Sequence, residues 1–241
     1  MTRPLVIAHR GYSASQPENS LAAYRAAIAV GADIIETDAR LAADGVVVSS
    51  HDATLERLTG TGAEVARHSS TELREIAARN GVALPTLAEA LAAICPHRPA
   101  LIDVKTQDIA VIEAIVAEVV RGGFGPRVWI GVRDAIQVSH ARLCLAGARV
   151  LAFLPRGADP KHFANAGASA FRLWESDLDG PLAQKLFGKL PVWVTTGGRG
   201  TGREPGDIGP RELEAVLAHR PEAVLLNDPA LLLHAVSAGA A

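Results

Sequence analysis

Eight short apolar runs, separated by stretches with helical spacing, constrain the fold of this chain more than any other feature. The first is Leu5-Val6-Ile7-Ala8 and the second opens with Asp33-Ile34-Ile35. The others span 100–105, 127–132, 149–154, 168–173, 191–195 and 223–226. Runs this short and this continuously apolar suit strands buried on both faces, as in parallel sheets. Helical stretches lie at 20–30, 109–121, 134–146, 160–166, 181–188 and 210–219, the first closed by Gly31. Strand and helix alternate, so the fold class is α/β. Eight such units predict a (β/α)8 TIM barrel, with an open doubly wound sheet as the competing architecture. Residues 53–97 break the rhythm. There 70–79 reads as a helix, and Thr86 with Glu89 forms a capping box that opens another. We read this region as a helical insertion after the second strand's hairpin, within a single domain spanning 1–241.

Composition narrows the function. The 241 residues carry a net charge of −2, which excludes a nucleic-acid or charged-membrane partner recruited by bulk electrostatics. No apolar run approaches the roughly 20 residues of a membrane span, so stable membrane insertion is not expected. Cys95 and Cys144 are the only cysteines and form neither a disulfide framework nor a thiolate metal site. With a start that runs straight into the first strand, this predicts a cytoplasmic location. The oligomeric state is not legible.

The stretch from Asp33 to Asp52 holds most of the chemistry. Glu36 and Asp38 lie two apart, so in a strand both carboxylates face the same side. Asp44-Gly45 suits a tight hairpin, and Val46-Val47-Val48 reads as the return strand. Taking Asp44 and Gly45 as the two turn residues sets His51 opposite Asp38. On a later strand Asp103 and Lys105 share a face. In a barrel His9, Glu36, Asp38, Asp103 and Lys105 all fall at C-terminal strand ends, where catalytic groups of this architecture gather.

Three converging carboxylates repel one another unless compensated. A hard divalent cation, which prefers oxygen ligands, removes the conflict. Neutralisation by Arg10 and Lys105 is the plainer alternative. His9 and His51 overlook the same cavity, and two imidazoles across a pocket can serve as base and acid. Arg10 and Lys105 add fixed positive charge suited to phosphate oxygens. Together these groups fit phosphoryl transfer better than acyl or hydride chemistry. His68, His97, His140, His162, His219 and His234 are read as ordinary surface residues.

His9-Arg10-Gly11, Pro17-Glu18-Asn19-Ser20, Gly31-Ala32-Asp33, Glu36-Thr37-Asp38, Asp44-Gly45 and His51-Asp52 resemble, in order and spacing, the glycerophosphodiester phosphodiesterase family. The likeness continues through Leu55-Glu56-Arg57, Pro85-Thr86-Leu87 with Glu89, and Asp103-Val104-Lys105. It fades after about residue 106, returning faintly at Val192-Trp193-Val194 and Asn227-Asp228-Pro229. The resemblance implies hydrolysis of a small glycerophosphodiester to glycerol 3-phosphate and an alcohol, with Mg²⁺ or Ca²⁺ as cofactor. It implies catalytic histidines at His9 and His51, metal ligands at Glu36 and Asp38 with Asp103 as the third, and phosphate contacts at Arg10 and Lys105. It also moves Trp193 toward the substrate, while Trp129, Phe153, Phe171 and Trp174 are assigned to the core.

Three departures from the family pattern stand out. Asp103 replaces the usual Glu, Val194-Thr195-Thr196 replaces Thr-Val-Asn, and Gly197-Gly198-Arg199-Gly200-Thr201-Gly202-Arg203 forms a longer loop. The loop is read either as a lid carrying two arginines or as a plain connector. Two other functions stay open at this point. One is a phospholipase D-like lyase releasing a cyclic phosphate, since related enzymes use Asp at this position. The other is a non-catalytic binding barrel.

Overall fold

Alternation along the strands decides what lies inside. The computed structural model describes residues 3–238, and within them eight parallel strands close into a ring. They are β1 (Leu5–Ala8), β2 (Ile34–Leu41), β4 (Ala100–Val104), β5 (Val128–Val132), β6 (Arg149–Phe153), β7 (Ala170–Trp174), β8 (Val192–Thr195) and β9 (Ala223–Leu226). Each neighbour pairs in parallel, and β1 joins both β9 and β2. A two-residue strand, β3 (Val47–Val48), runs antiparallel to the end of β2 above the rim. The fold is the (β/α)8 TIM barrel, and the open sheet is excluded by the closure.

Ile7, Ile34, Leu101, Leu151, Ala170, Trp193 and Ala223 fill the lumen. The alternate residues, among them Val6, Ala8, Ile35, Ile102, Val194 and Val224, pack outward on the helices. Moving up the strands, the same inward positions turn polar: His9, Glu36, Asp38, Asp103, Arg172 and Thr195. The site is therefore the polar continuation of the lumen core, carried on rigid strand ends.

The predicted strands from 100 to 226 agree with the observed ones to within two residues. The sequence reading names no helix beyond 219, whereas the structure adds Pro229–Ala238. Its start is closed by Asp228, whose carboxylate accepts from the Ala230 N–H at 3.0 Å. Between β3 and β4, a separate small core of Leu55, Val65, Leu73, Ala77 and Leu84 sits beneath a short helix Glu56–Thr59 and the helix Ser70–Arg79. The next helix, Leu87–Ile94, instead sends Leu87, Leu91 and Ile94 into the main core. Reciprocal capping boxes, Ser69 with Glu72 and Thr86 with Glu89, fix where both of the longer helices begin.

The hairpin differs from expectation by one residue. Arg40 pairs with Val48 and Leu41 with Val47, and the Ala42 N–H donates to the Val46 carbonyl. Three residues, Ala43, Asp44 and Gly45, therefore make the turn, with Gly45 at φ 79°. That is the three-residue loop with a left-handed closing glycine rather than the two-residue turn. Because side chains alternate, the slip removes His51 from the position opposite Asp38. His51 reaches the site from the segment after β3 instead.

Candidate active site

The register of the strands brings the acids together before any side chain is considered. Asp38 is the Cα partner of Asp103 across β2 and β4. Glu36, Asp38 and Asp103 each present an oxygen within 4.8 Å of the other two, and all three are buried. At about 4 Å two like charges cost roughly 4 kcal/mol at an effective dielectric of 20, so three ionised carboxylates need compensation here. Lys105 lies 2.7 Å from Asp38 and 2.5 Å from Asp103. Arg133 donates from Nη1 and Nη2 to the two oxygens of Asp103, at 2.5 and 2.9 Å. Arg10 stands 3.3 Å from Asp38, and the Asn19 amide donates to the same carboxylate at 2.7 Å.

Compensation is uneven. Burial would raise Asp103 and Asp38. Lys105 and Arg133 outweigh it to bring Asp103 down to about 2, and Lys105 and Arg10 hold Asp38 far below the carboxylate range. Glu36 goes the other way, pushed well up by burial and by the Asp38 charge. One of its oxygens accepts the Arg10 backbone N–H at 2.6 Å, and the other, Oε1, is buried with no hydrogen-bond partner. Asp38 Oδ1 lacks a hydrogen bond as well and has only the charge contact with Lys105. The orphaned Glu36 Oε1 beside Asp38 and Asp103, all on rigid strands, fits a hard divalent cation; Mg²⁺ and Ca²⁺ are cations of that chemistry. Arg10 itself sits at φ 55° and Asn19 at φ 53°, a left-handed strain placed at the residues that hold Glu36 and Asp38.

Each histidine is pinned through Nδ1. His9 is buried, and its Nδ1 lies 2.7 Å from Asn227 Oδ1. The Asn227 amide nitrogen donates to Pro205 O and to Asp207 Oδ1, which fixes its oxygen toward the ring and makes Nδ1 the protonated nitrogen. Gly206, at φ 92°, backs this contact. A Cβ there would stand 2.1 Å from Asn227 Oδ1 and 2.6 Å from His9 Nδ1. Burial, then Arg10, lowers His9 to about 4, so the ring is neutral with a free Nε2. His51 Nδ1 pairs with Asp52 at 2.7 Å, and burial followed by Lys105 lowers its pKa. Asp52 then continues to Arg57 at 2.7 Å, Arg57 to Glu18 at 2.6 Å, and Glu18 to Arg10 at 2.9 Å. An ionic chain thus runs from one imidazole, through the short helix after β3, to the acids.

His9, Arg10, Glu36, His51, Asp103 and Lys105 line one cavity of about 110 Å³ at the mouth of the lumen. A groove of about 1160 Å³ adjoins it, shares Arg10 and His51, and runs between the barrel and the small helical region. Trp193 is not in either lining. It lies 3% exposed in the lumen core, its ring centroid 4.5 Å from that of Trp129. One step along β8, Thr195 takes the cavity position instead. Phe153 and Trp174, assigned to the core from sequence, line the cavity too. The 197–203 loop is not a loose connector: Arg203 bonds Glu175 at 2.5 Å, and Gly198 bridges to Arg203. Sequence reasoning did not single out Asn227, Asp52, Arg133 or Arg172 for a role. Asn227 and Asp52 were visible in quoted motifs, and Arg172 was visible as the lone charge within a strand otherwise apolar.

Comparison with known proteins points the same way. Residues 9–124 match the model of the glycerophosphoryl diester phosphodiesterase family. A probable glycerophosphodiester phosphodiesterase 1 of Mycobacterium tuberculosis is 50% identical over 74 residues, 30% of this chain and 27% of that protein. A putative glycerophosphoryl diester phosphodiesterase from Silicibacter pomeroyi superposes with a TM-score of 0.82 at 20% identity, covering 99% of this chain and 94% of the other. An Oleispira antarctica phosphodiesterase, solved in complex with the product sn-glycerol-3-phosphate, superposes with a TM-score of 0.80 at 19% identity, covering 98% and 97%. The match spans about a quarter of the length of the M. tuberculosis relative, whereas the structural likenesses cover the whole barrel.

Proposed function

We propose that this chain, whose residues 9–124 match the glycerophosphoryl diester phosphodiesterase family model, is a metal-dependent enzyme of that family hydrolysing glycerophosphodiesters to glycerol 3-phosphate and an alcohol. The observation that carries the reading is the pair of imidazoles on one small cavity, each with Nδ1 engaged and Nε2 free. Ligand binding alone has no need of two such rings.

Glu36, Asp38 and Asp103 would hold Mg²⁺ or Ca²⁺, which supplies stabilisation of phosphoryl charge and a lowered pKa for the substrate hydroxyl. Lys105 and Arg10 set fixed positive charge against the phosphate oxygens. His9, kept neutral by burial, accepts the proton of the glycerol 2-hydroxyl at Nε2 as that oxygen attacks phosphorus. His51 has to enter the cycle as the imidazolium, which the Asp52 carboxylate at Nδ1 favours, and it gives its Nε2 proton to the departing alcohol. Water then opens the cyclic phosphate, giving its proton to His51 while His9 releases one to the 2-oxygen. The larger groove beside His51 offers the departing alcohol a way out.

The test is release of choline from glycerophosphocholine, with and without EDTA and with added Mg²⁺ or Ca²⁺. EDTA-sensitive turnover is expected, and no turnover under any of these conditions rejects the reading. Phosphorus NMR of the product separates hydrolysis from a lyase, because the lyase leaves the cyclic phosphate. A cytoplasmic setting belongs to the same proposal, supported by Cys95 and Cys144 both being unpaired. Among the described residues no helix is long and apolar enough to cross a membrane.

A further inference from the structure

Among the described residues Arg172 is a cation with no counter-ion. It sits mid-strand on β7, the Cα partner of Phe153 on one side and Trp193 on the other. The residue is 5% exposed, yet it makes no salt bridge, and its Nε and Nη1 are buried without a hydrogen-bond partner. Its guanidinium lies 4.7 Å from the ring of Phe153 and 4.2 Å from that of Trp174, and it lines the cavity that holds His9, His51 and Lys105. The aromatic faces hold the planar group in place without using its donors. Gly131 makes room for this, since a Cβ there would stand 2.1 Å from the Phe153 ring. The acids that act on Arg172 are Asp103 and Asp177, and Asp103 is already taken by Lys105 and Arg133. Burying a charge without a partner costs several kcal/mol, so a fold keeps one only where something else repays it.

We propose that Arg172 is a substrate-contacting residue that donates hydrogen bonds to the anionic, oxygen-rich half of the substrate held in the small cavity. The proposal rests on the phosphodiesterase reading for the identity of that half, but the anion-binding claim is separable from turnover. A guanidinium fork matches either phosphoryl oxygens or the hydroxyls beside them. It also makes this end of the cavity hostile to a quaternary ammonium or an acyl chain, which the groove on the other side of His51 has to take instead.

The test compares wild type with R172M and R172K, using orthophosphate, sn-glycerol 3-phosphate and glycerol as probes in the presence of Mg²⁺ or Ca²⁺. Without ligand, R172M should melt at or above the wild-type temperature, because it loses no hydrogen bond and sheds an unpaired charge. Both phosphorylated probes should bind R172M about 10- to 100-fold more weakly, the loss expected of a hydrogen bond to a charged group, and R172K should recover part of this. A loss shared by orthophosphate places the fork on the phosphoryl oxygens. A loss confined to glycerol 3-phosphate places it on the glycerol hydroxyls. The proposal is overturned if R172M binds both phosphorylated probes like wild type, if wild type binds neither, or if R172M alone is destabilised as a structural arginine would be. Arg172-dependent phosphate binding without turnover of any diester would sink the enzymatic reading and leave this one standing.

Discussion

The strands β1 to β4 and the strands β5 to β8 meet in one cavity but furnish it differently. The first group brings three acids and His9; Arg133 of the second group grips Asp103, and the other three are placed by specific bonds. Asn19 holds Asp38, the Arg10 backbone holds Glu36, and Asn227, from beyond β9, holds His9. The second group brings arginines and aromatic rings, namely Arg133, Phe153, Arg172 and Trp174, with stacking in place of hydrogen bonds at Arg172. The family match at residues 9–124 stops where this change occurs. On our reading the first half carries the reaction and lines most of the groove for the departing alcohol, and the second half supplies the cationic and aromatic wall of the small cavity.

That division can be broken most severely at the histidines. H9A or H51A should each lower kcat by about 10²–10⁴-fold with the fold intact by circular dichroism. Near-normal turnover in either variant removes the first half's claim on the chemistry. Next comes G206A, a change in the later part of the chain that should act on the earlier part. The added methyl has no space beside Asn227 and His9, and displacing the ring by about 1 Å should cost on the order of 10²-fold in kcat. Unaltered kinetics in G206A would mean that the Asn227 contact does not position the base.

Smaller effects concern stability. E36Q should lose cation-dependent activity while melting no lower than wild type in EDTA, since without a cation burial already favours the protonated carboxyl. Added Mg²⁺ or Ca²⁺ at a hundred times its dissociation constant should stabilise wild type by about 2.7 kcal/mol and E36Q by much less. His9 gives a pH signature. Its ring binds a proton more weakly folded than unfolded, so stability is complete above pH 6.5, declines as pH falls toward about 4, and levels below that. The loss should be on the order of 3 kcal/mol in denaturant melts and absent from H9N. The smallest effect belongs to the second half. R203A unfastens the 197–203 loop from Glu175 and should cost roughly 1 kcal/mol, with kcat changing by less than about threefold. A tenfold loss there would give the loop the role of a lid.

The barrel was legible because each strand is an apolar run between polar ends, and a parallel strand buried on both faces has little other option. The early part of the site was legible because its groups sit in short motifs, His9-Arg10, Glu36-Thr37-Asp38 and Asp103-Val104-Lys105. The hairpin register was not, because Asp44-Gly45 fits a two-residue and a three-residue turn equally well. Trp193 was misplaced because a resemblance fixes a residue's position in sequence without saying how far down the lumen it lies. Arg172 stands alone among apolar neighbours and Arg133 sits between its strand and the helix-capping Asp134, neither with a spacing to interpret, and only closure of the barrel shows that they face the acids. The helix Pro229–Ala238 was passed over because its run Ala230-Leu231-Leu232-Leu233 has no polar face to mark a helical period.

Gly206 carries a consequence for tracing distant kin. The later part of the chain resembles its relatives only faintly, yet the space between residue 206 and Asn227 admits no methyl group. A side chain at 206 therefore requires a change at 227, so the two positions are coupled in this chain. In remote barrels of this kind, the pair can be looked for directly where overall likeness has faded.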